Sequence, residues 1–274
     1  MKPILFKIVL PFLNIPIEVR SYGIMIALGF LLMLPLITRL AKKEGIHSNT
    51  FIDIAFWSLL WGLIGARILF IITNLHEYIQ EPLRIFALWE GGLVFYGGLI
   101  GGALTIIFYC KKKNIPLWKM LDVAAPGVAF VHMFGRLGCV LAGCCFGKPT
   151  TLPWGISFHL EESFARPLHT PLHPTQLYEA LALFFVFLLL YFYLSSRKKF
   201  DGQMVLVYFI LYSIFRFTNE FFRGDEIRGF VFGWVSTSQF ISLLVFGITL
   251  FFLFHSLRGL KKEYLKSIFK RFRK

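Results

Sequence analysis

Read for the order of hydrophobic and polar positions, the chain shows seven long apolar runs separated by short basic or proline-rich segments. The runs cover approximately 21–38, 52–74, 91–110, 120–146, 178–195, 204–222 and 239–256. A helix of about 20 apolar residues crosses the roughly 30 Å hydrocarbon core of a bilayer, so each run predicts a transmembrane helix. The runs are continuous rather than alternating at every second residue, which argues against a membrane barrel. The pattern thus predicts an all-α integral membrane protein with seven transmembrane helices. It forms a single membrane domain over 1–274, with 75–90 and 147–177 as loop elaborations and 257–274 as a basic tail. Residues 1–20 are interrupted by prolines and no A-x-A cleavage site follows them. They read as a retained interfacial arm rather than a signal peptide.

Composition agrees with this reading. Hydrophobic residues make up 57% of the 274 positions, 33 of them phenylalanine, more apolar surface than one water-soluble core can bury. The charge adds orientation. Of the 29 Lys and Arg, 18 fall after the first, third, fifth and seventh runs, and only 8 fall on the opposite side. The positive-inside rule then places the N-terminus outside and the C-terminus in the cytoplasm. A formal charge of +14 would suit nucleic acid. Its confinement to juxtamembrane loops and the tail instead predicts topology setting and contact with anionic membrane lipid, with no nucleic-acid partner.

Charges inside apolar runs are costly and point to function. Arg67, Arg136 and Arg216 are the basic residues so placed. Counted from the start of each run, they lie about 22, 24 and 20 Å along their helices at 1.5 Å per residue. That depth is the outer half of the bilayer, and Tyr22 and Tyr96 begin runs at a similar level. Each arginine could snorkel or pair privately with one carboxylate. Three at one depth, with few acidic partners, predict a shared anionic ligand. On the sixth run, Tyr212, Arg216, Asn219, Glu220 and Arg223 follow helical spacing along one face, with Glu220 placed to orient Arg216. A guanidinium fork suits bidentate contact with phosphate.

The stretch "FGRLGCVLAGCCFGKP" surrounds Arg136 with small residues, including Gly143 and Gly147 at i+7 and i+11. Such strips let helices approach and leave room beside a bulky ligand. "VFYGGLIGG", containing Gly98, has the same character. Cys139, Cys144 and Cys145 do not share a helix face, so they read as small packing residues. A turn after a helix end near Gly143 would still gather them into a metal or disulfide group. The loop motif "PLHTPLHPTQLYEAL" carries His169 and His173, which read as surface residues, and Gln176, Tyr178 and Glu179 lead into the fifth run.

In order along the chain, "YGIMIALGF", "GARILF", "WEGGLVFYGGLIGG", "GRLGCVLAGCCFGKP", "HPTQLYEA" and "YSIFRFTNEFFR" resemble the prolipoprotein diacylglyceryl transferase family. The resemblance implies a seven-helix, multi-pass enzyme of the bacterial cytoplasmic (inner) membrane with its active site toward the outer leaflet. It implies transfer of the diacylglyceryl group of phosphatidylglycerol to the lipobox cysteine that follows a prolipoprotein signal peptide, without metal or other cofactor. The implied catalytic residues are Arg136, Arg216, Tyr22, Tyr96 and Glu220. Arg136, Arg216, Gly98, Gly147 and Tyr212 are implied to bind the lipid. Tyr96 stands where the family often has a histidine, and Cys139 and Cys144 where asparagine and glutamate are common. A transporter for an anionic lipid would use the same arginines but should show repeated halves with interrupted helices, and no internal repeat is legible. A thiol redox protein built on the three cysteines would lack any cofactor motif.

Overall fold

A computed structural model describes residues 2–9, 16–86, 91–224, 229–231 and 233–272. Its helices are α1 (Ser21–Lys43), α2 (Ser48–Thr73), α3 (Leu75–Gln80), α4 (Phe95–Lys112), α5 (Leu117–Ala142), α6 (Thr175–Leu188), α7 (Gln203–Asn219) and α8 (Thr237–Phe272). Six segments are long and apolar enough to cross a membrane: α1, α2, α5, α6 with its π and 3-10 continuation to Ser196, α7 with its 3-10 end, and α8 to Gly259. The predicted span 91–110 is α4. It has 18 residues, four glycines and a lysine pair at its end, and it is shorter than each of those six segments. Leu31, Phe56, Leu104, Phe192 and Phe251 are all more than half exposed, as lipid-facing side chains would be.

Helix ends follow local chemistry. Past α1, Gly45 takes a left-handed φ of +73°, and the Ile46 N–H turns back to the Ala41 carbonyl at 2.8 Å, a glycine-closed helix end. Gly202, at φ +100°, precedes α7. Helix α5 stops at Ala142, earlier than the expected 146, because Gly143 enters the left-handed region at φ +75°.

The N-terminal arm is not featureless: β1 (Ile4–Val9) pairs with β2 (Pro16–Arg20), and Lys7 and Glu18 form an ion pair at 3.1 Å. The 75–90 segment contains α3 and a 3-10 turn over Pro82–Phe86, and its residues 87–90 lie outside the described residues. The expected tail 257–274 continues α8 as helix to Phe272. A two-residue hairpin, β3 (Phe230–Val231) with β4 (Val235–Ser236), precedes α8.

The chain divides into two compact units, one of 1–5, 20–33 and 124–274, the other of 6–19 and 34–123. In the second, α2 packs on α4 through facing glycines, because Gly65, Gly97 and Gly101 each sit where an added Cβ would strike the opposite backbone. Gly98 belongs to the same seam, its missing Cβ 3.4 Å from the Gly62 carbonyl. In the first, α7 packs against both α6 and α8. The 147–177 loop there has its own core of Phe158, Ala165 and Leu172, backed by Phe146, Ile156 and Leu168.

Candidate active site

Within the first unit, the polar side chains of the apolar helices gather at one end. Arg136 is six residues from the end of α5, Arg216 three from the end of α7, Glu179 four residues past the start of α6, and Ser238 and Tyr22 one past the starts of α8 and α1. At 1.5 Å per residue every one lies within about 10 Å of a helix end. The loop 143–174 joins two of those ends.

Glu179 is the hub. It is 2% exposed, and its Oε1 accepts a charge-assisted bond from Arg136 Nη2 at 2.8 Å and another from the Tyr212 hydroxyl at 3.1 Å. Asn219 Nδ2 donates to Oε2 at 3.3 Å, and His132 Nε2 lies 3.8 Å from Oε1. A carboxylate this deep is stable only with such company, since removing one partner of a buried pair costs about 3–5 kcal/mol. His132 also meets the Tyr208 hydroxyl at 3.5 Å and packs its ring against Tyr212. Arg136 contacts Glu179 through one nitrogen and also lies within hydrogen-bonding reach of the Tyr212 hydroxyl, and with five N–H groups its fork has further donors to offer an anion.

Arg216 forms the second half of the site. Nη1 pairs with Glu220 at 2.7 Å and Nη2 donates to Ser238 Oγ at 2.7 Å. The expected Arg216–Glu220 pair is therefore present, and Tyr212 and Asn219 share the expected face by meeting on Glu179. Arg223 does not continue that helix: α7 ends at Asn219, a 3-10 turn covers Glu220–Phe222, and Arg223 is buried in a bridge with Gly147. Arg136 and Arg216, neither more than 15% exposed, are thus held by two buried carboxylates.

The signature glycines act through the backbone. Lys148 N–H bonds the Phe222 carbonyl at 2.9 Å, Gly147 N–H the His173 carbonyl at 3.0 Å, and Gly224 N–H the Phe146 carbonyl at 3.1 Å. Segment 146–148 thus ties together the ends of α5, α6 and α7. A Cβ on Gly147 would lie 2.5 Å from His173 Cβ and 2.7 Å from the Phe222 carbonyl oxygen. Gly147 is required by that close approach and does not follow Arg136 along a helix face. Gly138 likewise admits Tyr22, whose Cα would be 3.1 Å from an added Cβ.

The other expected residues are placed differently. Arg67, expected to share the ligand, sits in the second unit and donates to backbone carbonyls. Its contacts are Gly91 at 2.6 Å, Arg84 at 2.7 Å, Ile85 at 3.2 Å and Gly92 at 3.3 Å, with Phe70 and Tyr78 under its guanidinium. It holds a loop. Tyr96 and Gly98 belong to the same unit as Arg67. Tyr96 is half-exposed against Phe95.

Sequence reasoning overlooked His132 and the depth of Glu179. An acidic residue opening the fifth apolar run was the available signal for Glu179. "HPTQ" owes its place to the same region: Thr175 Oγ1 donates to the Cys145 carbonyl at 2.7 Å and Gln176 Nε2 to the Cys144 carbonyl at 2.8 Å.

Comparison with known proteins places this arrangement. The chain is 41% identical over 255 residues to phosphatidylglycerol--prolipoprotein diacylglyceryl transferase of Clostridium tetani, covering 92% of this chain and 97% of the relative. It is 38% identical over 229 residues to the enzyme of the same name from Finegoldia magna, covering 84% and 88%. The counterpart from Trichormus variabilis is 33% identical, covering 86% and 84%. A family model described as prolipoprotein diacylglyceryl transferase matches residues 8–255, a stretch that includes the arginine–carboxylate network, and the chain belongs to that family.

Proposed function

We propose that this protein transfers the diacylglyceryl group of phosphatidylglycerol to the lipobox cysteine thiol of a prolipoprotein. A carbon–oxygen bond to the lipid phosphate breaks, a thioether forms, and glycerol phosphate leaves. The observation that carries this reading is the placement of Arg136 and Arg216, each held by a buried carboxylate, Glu179 and Glu220, at one end of the apolar helices. Such a group favours a lipid phosphate whose negative charge grows as the bond breaks. Glu179 aims Arg136, and Glu220 aims Arg216. An apolar groove of Met133, Leu137, Leu177, Ala180, Leu181 and Phe184 runs along α5 and α6, the helices bearing Arg136 and Glu179, and suits an acyl chain.

Arg136 and Arg216 are the phosphate clamp, Tyr212 supports it through Glu179, and Gly147 and Gly98 act by letting backbones approach. For the thiol proton, Glu220 is committed to Arg216, which leaves Tyr22 and Tyr96 as acceptors to be separated by single Tyr→Phe replacements.

The membrane arrangement belongs to the same reading: one membrane domain over 1–274, α4 as a seventh span, N-terminus outside and C-terminus in the cytoplasm of a bacterial inner membrane. Arg136 and Arg216 lie near the helix ends opposite the lysine-rich ones, which supports a site at the outer leaflet. A C-terminal reporter active only in the cytoplasm should light up, and silence would reverse the topology. The decisive test incubates purified protein with phosphatidylglycerol and a lipobox peptide, with mass spectrometry of the peptide cysteine. A diacylglyceryl adduct that disappears in Arg136→Ala supports the reading. Its absence while lipid still binds would favour transport of the lipid instead.

A further inference from the structure

The three cysteines that follow Arg136 are not spread out as their spacing along a helix would place them. Helix α5 carries Cys139, which is buried, and stops at Ala142. Gly143 at φ +75° and Cys145 at φ +60° then turn the chain back on the helix end. A left-handed conformation costs a non-glycine residue about 1–2 kcal/mol. Here it is held from outside, since Thr175 and Gln176, both essentially buried, bond the carbonyls of Cys145 and Cys144 at 2.7 and 2.8 Å. Gly143 itself abuts the buried Ser163, leaving no room for a side chain. The result is that the Sγ atoms of Cys139, Cys144 and Cys145 all lie within 4.8 Å of one another, and all three thiols are free.

We propose that Cys139, Cys144 and Cys145 form a binding site for a soft d10 cation of the zinc class. With a metal–sulfur distance of about 2.3 Å, tetrahedral geometry sets sulfurs about 3.8 Å apart, so these thiols need to close by about 1 Å at most. Thiolate is the ligand that selects such ions over magnesium or calcium. The charge also fits. On binding, the three thiols release their protons to solvent, and three thiolates around a divalent ion leave one negative charge. Arg136 stands one helical turn before Cys139 to meet it. Among the described residues no His, Asp or Glu joins the group, so the fourth coordination position is open to water or another small ligand. The ion would pin the turn 143–145 to the end of α5, the helix that presents Arg136.

Packing alone accounts for small apolar cysteines but not for three convergent thiols held by two buried polar side chains. The test uses full-length protein in detergent, reduced with a phosphine, stripped with chelator and kept free of oxygen. Cobalt(II) is titrated first and displaced with zinc. One equivalent should give a thiolate-to-cobalt charge-transfer band that zinc abolishes. Bound zinc should protect three thiols from alkylation, with Cys110 as the internal control. The band should be lost in Cys144→Ser and, separately, in Cys139→Asn, so the result does not hang on one variant's folding. Stripped wild-type protein that remains monodisperse but gives no band would overturn the proposal. So would a band unchanged in both variants, which marks an adventitious ion only. Recovery of two of the three cysteines as a disulfide that the phosphine does not open, with no cobalt bound, would also overturn it, in favour of a redox pair.

Discussion

Arg67 and Arg136 look alike in the sequence: each is a single arginine in a long apolar run, preceded by glycine or alanine and followed by aliphatic residues. Their surroundings are opposite. Arg67 spends its guanidinium on four backbone carbonyls of the segment 84–92, which are neutral acceptors fixed by the chain. Arg136 meets a carboxylate that is itself shared with Tyr212, Asn219 and His132. An arginine wrapped by carbonyls has satisfied its donors and becomes part of the scaffold. An arginine positioned by one carboxylate oxygen keeps donors free and stays available for an anion. An intramembrane charge thus marks a place worth inspecting, and its partners decide whether the place is structural or chemical.

The sharpest way to break this comparison is to shorten both side chains. Arg136→Ala should lower transfer per folded molecule by at least about 100-fold, the scale seen when an aimed donor is removed from a charge-developing site, in addition to the stability lost when Glu179 is left without its partner. Arg67→Ala should spare turnover. Its loss leaves several carbonyls short of a donor and should cost about 3 kcal/mol of stability, read as a lower Tm, with turnover per folded molecule within about threefold of wild type. Equal losses of activity in the two variants would erase the distinction.

Smaller changes sharpen it. Glu179→Gln keeps the size of the hub but removes its charge, and should lower kcat by about 10- to 100-fold, the worth of hydrogen bonds to a charged group. Gly147→Ala places a methyl 2.5 Å from His173 and should cost about 1–3 kcal/mol through overpacking, seen as a drop in Tm. Tyr212→Phe deletes a single bond to Glu179 and should reduce turnover by about fivefold, in line with about 1 kcal/mol. A loss as large as that of Arg136→Ala would instead give Tyr212 a direct role with substrate.

Much of the architecture was legible beforehand because it is local. Hydrophobic runs of helical length and the position of Arg136 and Arg216 toward the ends of their helices need only the rise per residue and the cost of charge in hydrocarbon. The pairing of Arg216 with Glu220 was also readable, since i and i+4 are neighbours on any helix. The end of α5 was not. A glycine at 143 permits a left-handed turn without demanding one, and the turn is secured by Thr175 and Gln176 from a segment thirty residues later.

The sequence by itself determined that this chain is an all-α membrane protein with a few costly polar residues in its apolar runs, because both facts depend on neighbours along the chain. Which arginine is scaffold and which is free, that Glu179 anchors the site, and that three cysteines out of helical register meet were decided by the tertiary structure. Those outcomes depend on contacts between residues about 17 to 47 positions apart, where the winning partner is whichever closure leaves the fewest buried polar groups unsatisfied.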